Sequence, residues 1–299
     1  MEALWGAVGD IAGVILAGGR GVRFGDPFKC LRPVCGVPMV LRVAAALQPF
    51  SSRLVVATTK LHGPIAWLAR LWGMEVVYTE GRGYELDFSE LLAYAPAVVA
   101  ACDLPFLAPG HVARLISRPV MSTAVGEGGY VGLTWLPDGD TTRWVDVYMP
   151  DLRDVDARED WMALANCAGP TYPMFVDPSS LLPHEGVEAV PALGSRVRPI
   201  AVDAWTCTVL DGHHRLSALA ERGLPVPVIP LDYSRIDVRD GAGNEVSKLA
   251  VISAASRGAR LGVRATRHYY NDVHVSELSH VEVDVDFLAG VRPTKCDHL

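Results

Sequence analysis

Between residues 11 and 102 the sequence alternates short apolar runs with stretches of helical spacing, and that alternation leaves few folds open. IAGVILA (11–17), LVVAT (54–58), MEVVY (74–78) and AVVAAC (97–102) read as buried strands. Between them lie Pro38 to Leu47, a span through Trp67 and Trp72, and Glu85 to Tyr94, all with helical spacing. Strands alternating with helices predict a parallel sheet covered on both faces, whose ligands bind beyond the carboxyl ends of the strands. The texture changes near residue 170, where Gly169-Pro170 and Asp177-Pro178 break the pattern and the chain becomes rich in proline, short strands and turns. The 299 residues are about twice the length of a typical domain. We expect two domains, 1–169 and 170–299, of class α/β: an N-terminal doubly wound, mostly parallel sheet plus a C-terminal α+β domain. The second half has one clear strand-to-helix transition, TCTVLDGHHRLSALAERG. There Leu216, Leu219 and Ala220 are expected to give the helix its apolar side, and Gly223 its C-cap.

Composition narrows the function classes. Half the residues are apolar and 20% are charged, which excludes a largely disordered chain. Lys and Arg number 27 against 34 Asp and Glu, a net charge of −7, so no basic excess drives nucleic-acid binding. Apolar stretches fall short of the ~18 residues that span a bilayer, and the start, with Glu2 and Asp10, lacks the basic segment of a signal peptide. Six cysteines occur without a CxxC pair in a chain long enough to bury proper cores. That pattern predicts reduced, mostly structural thiols in a cytoplasmic protein without membrane or nucleic-acid partners. The many arginines and few lysines are compatible with a warm-growing archaeon.

LAGGRGVRFGDPFK (16–29) follows the first strand directly. Its glycines let backbone amides approach phosphate oxygens, while Arg20, Arg23 and Lys29 supply charge for a triphosphate. It is neither a GxGxxG fingerprint nor a GxxxxGK[ST] loop. A plain glycine turn with incidental surface charge is the competing reading, and the interleaved basic residues favour nucleotide binding.

This segment, continued by Gly36-x-Pro38-Met39, resembles the signature of the nucleotidyltransferase superfamily that includes molybdenum-cofactor guanylyltransferases and sugar-nucleotide pyrophosphorylases. GRGYELDFSELL (81–92) followed by AVVAACDLPFL (97–107) is similar to archaeal GTP:adenosylcobinamide-phosphate guanylyltransferases, and LRDVDAREDWMALA (152–165) to the closing helix of that fold. The likeness spans roughly residues 11–166. It implies that the backbone at Leu16, Ala17, Gly18, Gly19 and Gly21 cradles GTP, that Arg23 and Lys29 meet its phosphates, and that Tyr84 and Glu85 lie near the guanine. Asp103 would hold Mg²⁺ and adenosylcobinamide phosphate would be the acceptor. One departure stands out. The stretch GEGGYVGLTWLPDGDTTRWVD is shorter than the family's acceptor segment and lacks its P-x-G-x-N element. A domain that binds the nucleotide without transferring it is therefore the alternative.

VLDGHHRLSAL (209–219) sets an aspartate, a glycine, two histidines and an arginine between a strand end and a helix N-terminus, a place suited to phosphate. Adjacent histidines in a turn point apart, and no HExxH or cysteine partner completes a zinc set. With PSSLLPHEGVE (178–188), VIPLDY (228–233) and ATRH (265–268), this motif resembles the ParB/sulfiredoxin-like fold and, within it, archaeal free-serine kinases. That resemblance implies Glu185 as general base and Asp211 as its partner or an Mg²⁺ ligand. It further implies Gly212, His213, His214 and Arg215 on the phosphates of ATP or ADP, and Thr266, Arg267 and His268 on the amino acid.

Joining the two resemblances suggests a shared route, because the nucleotide loop of cobamides derives from L-threonine O-3-phosphate. The expected function is thus a free L-threonine kinase fused to a GTP-dependent nucleotidyltransferase. L-Serine remains an alternative substrate, since one methyl group discriminates by only about 1–3 kcal/mol. A ParB-like DNA-binding switch is the third reading, and the acidic, strand-like VSELSHVEVDVDFLAG (275–290) counts against it.

Overall fold

The structure is a computed structural model, and it describes residues 10–164, 170–190, 192–279 and 281–297. The chain divides into two compact units: unit 1 comprises residues 1–34 and 39–169, and unit 2 comprises 35–38 and 170–299.

Unit 1 is built on a seven-stranded sheet. Its strands are β1 (Ala12–Leu16), β2 (Arg53–Thr58), β3 (Glu75–Tyr78), β4 (Ala97–Ala101), β5 (Met121–Gly126), β6 (Gly129–Leu136) and β7 (Trp144–Tyr148), in the order β3-β2-β1-β4-β6-β5-β7. The four strands β3-β2-β1-β4 run parallel, β6 is antiparallel to β4 and β5, and β7 lies parallel to β5. The helices are α1 (Met39–Leu47), α2 (Gly63–Leu71), α3 (Tyr84–Glu90), α4 (Pro109–Ile116) and α5 (Arg158–Leu164). All five residues of β1 are buried, as a central parallel strand covered on both faces must be. Val14, Val55 and Val99 on adjacent strands form one core cluster with Leu91. The chain moves outward from β1 to β2 and β3, then returns to lay β4 on the other side of β1. That reversal creates the crevice in which open α/β sheets bind ligands.

Unit 2 holds a four-stranded sheet of β8 (Met174–Val176), β9 (Ile200–Asp203), β10 (Val209–Asp211) and β11 (Val226–Leu231), in the order β8-β11-β9-β10. A three-stranded sheet of β12 (Asp237–Arg239), β13 (Arg267–Tyr270) and β14 (Val273–His274) accompanies it, with helices α6 (His213–Glu221) and α7 (Lys248–Ser256). β11 is flanked on both sides although it carries Pro227 and Pro230, and each proline gives up one ladder donor.

Three expectations need correction. Ala220, one residue short of the end of α6, is exposed, and Ala218 is buried along with Leu216 and Leu219, although the 3.6-residue repeat places 220 on the Leu216–Leu219 stripe and 218 across the helix from it. The 275–290 stretch is not one strand. It folds as a 3-10 turn (Val275–Glu277), a two-residue strand (Val283–Asp284) and a helical turn (Val285–Leu288), since Asp284 caps that turn through its side chain to the Asp286 amide. The thiols are not reduced. Cys30 is bonded to Cys102 and Cys207 to Cys296, Cys35 is also disulfide-bonded, and no cysteine among the described residues is free. Cys167 lies outside the described residues. Sequence spacing misled because the sheets bring residues 72 and 89 apart to Cα separations of 5.6 and 6.3 Å. Among the described residues no helix is long and apolar enough to cross a membrane.

The burial pattern of α6 sets a direct test. Leu219, fully buried, should cost about 2–5 kcal/mol when cut to alanine. Ala220→Ser, on the exposed side, should stay within about 0.5 kcal/mol. Urea denaturation of the two variants measures both.

Candidate functional sites

In unit 1, β1 and β4 end side by side, with Leu16 in register with Ala101. The chain leaving β1 is the glycine loop and the chain leaving β4 begins Cys102-Asp103. Gly21 has φ +60, and a Cβ there would lie 2.0 Å from the Asp26 carbonyl oxygen, so only glycine closes the loop. Asp26 locks it further: one carboxylate oxygen accepts from the Phe28 amide at 2.8 Å, the other from Arg32 Nε and Nη2 at 2.8 and 2.6 Å. His62, 3% exposed, supports the loop from beneath. Its Nδ1 meets Thr59 Oγ1 at 2.7 Å and its ring hydrogen-bonds the Gly19 backbone. Burial lowers its pKa and keeps it neutral.

Lys29 and Asp103 meet at the floor of a cavity of about 600 Å³. Lys29 Nζ lies 2.5 Å from Asp103 Oδ2 and 3.2 Å from the Val155 carbonyl, and the Val155 amide donates to the Asp103 carbonyl at 2.9 Å. Asp103 is 9% exposed, and its Oδ1 is buried with no hydrogen-bond partner. Buried Arg42 fixes the following turn, with Nε 2.5 Å from the Pro105 carbonyl. Leu16, Gly18, Gly19, Arg20 and Arg23 line the same cavity. Ala17 is buried beside it with its carbonyl on Thr58 Oγ1, while Gly21 and Glu85 are not part of the lining. Glu85 is exposed on α3. The Tyr84 side chain lies outside the described residues.

Four charged lining residues escaped the sequence reading. Asp154 and Asp156 face the cavity. Burial, then repulsion from Asp156 and Asp103, pushes the Asp154 carboxyl above its ordinary range, and Asp156 pairs with Arg23 at 2.6 Å. The DVD spacing ahead of α5 was the available signal. Arg82 also lines the wall, and buried Asp87 holds its loop by accepting from the Gly81 and Arg82 amides at 3.0 and 3.4 Å.

In unit 2 the segment at Leu182 runs beside β10, exchanging backbone hydrogen bonds with Cys207 and Val209 at 3.0 and 2.9 Å. That pairing brings Glu185 to the end of β10, where Asp211 and α6 begin a cavity of about 310 Å³. Glu185, Asp211, Gly212, His213, His214, Arg215, Thr266 and Arg267 all line it. His268 does not: it is 1% exposed, with Nε2 3.2 Å from Tyr233 Oη. Glu185, 8% exposed, receives the Thr266 amide and hydroxyl on Oε1, both at 2.8 Å, and the Arg264 amide on Oε2 at 3.2 Å. His184 Nε2 meets the same hydroxyl at 2.8 Å. Arg264 and His184 are additions the sequence reading did not make. Gly212 has φ +98, and a Cβ there would strike Ile200 at 2.4 Å, so this turn admits only glycine. Arg215 gives Nη2 to Asp211 at 2.5 Å and Nη1 to the Arg198 and Pro199 carbonyls at 3.1 and 2.7 Å. Its fork is thus largely spent on fixing the turn. Among the described residues no cluster of three or more metal-ligating side chains occurs.

The histidines beside Glu185 are neutral. Burial, reinforced by neighbouring His184 and His268, lowers His213 to about 3; burial, then His184 and His274, does the same for His268. The unfolded chain titrates these groups near 6.5, so between that value and about 3 it binds protons the folded unit refuses. Stability should be full above pH 6.5 and fall as pH drops toward 3. Urea midpoints across that range test this, and His213→Gln should flatten the decline.

Residues 13–130 match the family described as the MobA-like NTP transferase domain. A probable molybdenum cofactor guanylyltransferase of Haloferax mediterranei is 33% identical over 121 residues, covering 38% of this chain and 57% of that protein. A molybdenum cofactor guanylyltransferase of Cupriavidus taiwanensis is 36% identical over 141 residues, covering 44% and 65%. The chain thus spans less than two thirds of the length of either relative. Among solved structures, a Methanothermobacter nucleotidyl transferase is similar at 19% identity and a TM-score of 0.44, over 52% of this chain and 96% of that one. The family match ends at residue 130 and does not reach the 170–299 segment of unit 2. The N-terminal unit therefore carries a MobA-like NTP transferase domain, matched over residues 13–130.

Proposed function

We propose that unit 1 transfers a guanylyl group from GTP to a phosphate acceptor and that unit 2 phosphorylates free L-threonine. The observation that carries the first reading is the Lys29–Asp103 pair under the glycine loop, with Asp103 Oδ1 buried and unpartnered. Nucleotidyl transfer needs an acceptor phosphate in line with the α-phosphorus, pyrophosphate leaving opposite, and charge neutralised throughout. The loop amides at Gly18 and Gly19 suit the triphosphate, and Arg20, Arg23 and Lys29 bring the positive charge. Asp103 and Asp154 fit Mg²⁺, because Asp103 offers an unpaired oxygen and a cation would relieve the burial and the repulsion from Asp156 and Asp103 that raise the Asp154 carboxyl; Mg²⁺ when bound would screen the phosphate oxygens. GTP as donor follows the guanylyltransferase relatives. Adenosylcobinamide phosphate as acceptor rests on GRGYELDFSELL and AVVAACDLPFL.

The second reading is supported by three separated motifs, around residues 185, 211 and 266, converging on one cavity. Glu185 can take the proton of a substrate hydroxyl, since its oxygens are aimed by Thr266 and Arg264 and the histidines facing it stay neutral. Arg267, exposed at the rim, suits an amino-acid carboxylate. The α6 N-terminus and His214 suit the phosphates of ATP or ADP. Asp211 and Asp103 are each paired with a basic side chain, but of the two Asp103 alone leaves a buried oxygen without a partner, so Mg²⁺ finds more support at Asp103 than here. Threonine is preferred over serine because it links the two units through cobamide synthesis.

Phosphorus NMR of the full chain with Mg²⁺ tests both halves. GTP with adenosylcobinamide phosphate should release pyrophosphate, and Asp103→Asn should slow that release by roughly 10²–10³-fold. ATP or ADP with L-threonine should give a phosphomonoester, and Glu185→Gln should slow its formation by about 10²–10⁴-fold. Each substitution should leave the other reaction unchanged. Absence of pyrophosphate would reduce unit 1 to nucleotide binding, absence of a phosphomonoester would remove the kinase, and preference for serine would break the link between the units.

A further inference from the structure

Cys30 and Cys102 are the sequence neighbours of Lys29 and Asp103, and both cysteines line the cavity that holds this ion pair. We propose that the Cys30–Cys102 disulfide is a positioning clamp for Lys29 and Asp103, making nucleotide and cation binding in unit 1 depend on its oxidation state. The inference rests on the nucleotide-transfer reading of that cavity.

The case is one of restraint. Lys29 opens a three-residue 3-10 turn (Lys29–Leu31) after an exposed glycine loop and belongs to no strand. Asp103 lies past the end of β4, in a turn. Lys29 has local backbone hydrogen bonds to Asp26 and Arg32, but besides their own side-chain contact the hydrogen bonds that reach beyond the local turn tie each of the pair to Val155, on a third segment. A lysine side chain has four rotatable bonds and fixes little by itself. The disulfide joins the two turns directly, across 72 residues of sequence, at a Cα separation of 5.6 Å. It therefore holds the backbones from which both side chains spring. It also opposes the relaxation that Asp103 Oδ1 invites, because a buried carboxylate oxygen without a partner gains by opening toward water.

Reduction needs a thiol reagent. A dithiol supplies two electrons and two protons, the 30–102 bond breaks to two thiols, and the dithiol closes to its own disulfide. With cysteines 3% and 4% exposed, the extent of reduction has to be verified by alkylation and mass mapping.

The full chain is mapped before and after dithiol treatment. Amide exchange at 29–32 and 101–104 is followed in both states, together with the affinity for GTP at graded Mg²⁺. We expect a 30–102 bond in the oxidised chain, faster exchange in both segments on reduction, and an affinity for GTP with Mg²⁺ lower by about tenfold as the competent arrangement becomes a minor one. The Mg²⁺ concentration for half-maximal binding should rise as well, which a disulfide that merely stabilises the fold would not cause. Cys30→Ser with Cys102→Ser should show the reduced behaviour under both conditions, and Cys207→Ser with Cys296→Ser should keep the response. Free thiols at 30 and 102 in the oxidised chain, or unchanged exchange on reduction, would overturn the clamp. GTP binding that is equal in both states would overturn it while leaving the transferase reading intact. Exchange that responds in a chain binding no GTP would show the restraint on Lys29 and Asp103 but defeat the transferase reading and, with it, the dependence of nucleotide binding on the disulfide.

Discussion

The parallel pairing of β1 with β4 is the constraint on which the first site depends. Because Leu16 and Ala101 stand in register, the chain leaves both strands at one edge of the sheet. A glycine loop on one and an aspartate on the other then come together, although their cysteines are 72 positions apart in sequence. The reversal of strand order opens the crevice at that point, and the Lys29–Asp103 pair closes its floor. The unpartnered oxygen of Asp103, in the turn after β4, is a local cost.

Unit 2 solves a different problem, that of keeping a carboxylate almost buried. Glu185 is surrounded by His184 and His213 at 3.7 Å, yet these imidazoles are driven neutral by burial and supply little compensating charge. Compensation comes instead from three donors, the amides of Arg264 and Thr266 and the Thr266 hydroxyl. Such a carboxylate is held in place by geometry. The neighbouring turn is organised the other way, by Asp211 and Arg215 neutralising one another around a glycine that no other residue can replace.

What the sequence made legible follows from the range of each signal. The parallel strands of unit 1 could be read because a doubly covered strand is apolar throughout, as β1 is. The 16–29 and 209–215 loops could be read because glycine and charge between a strand and a helix are local signals. Asp154 and Asp156 were missed because their DVD spacing gains meaning only when Val155 bonds to Asp103 across the fold and the two carboxylates line the cavity. Cys30 and Cys102 were misread for the same reason. Ala220 was placed by its helical spacing from Leu216 and Leu219, yet it stands one residue short of the end of α6 and is exposed. Arg215 could be recognised as important, but not that its donors turn inward to two carbonyls and Asp211.

The central claim is that the crevice between β1 and β4 is where this chain holds a nucleoside triphosphate. A crystal structure of the full chain grown with GTP and Mg²⁺ tests it most directly. The account predicts triphosphate density over Gly18 and Gly19, with Lys29 on the phosphates and the cation against Asp103. A nucleotide bound elsewhere, with Asp103 Oδ1 still unpartnered, would contradict it.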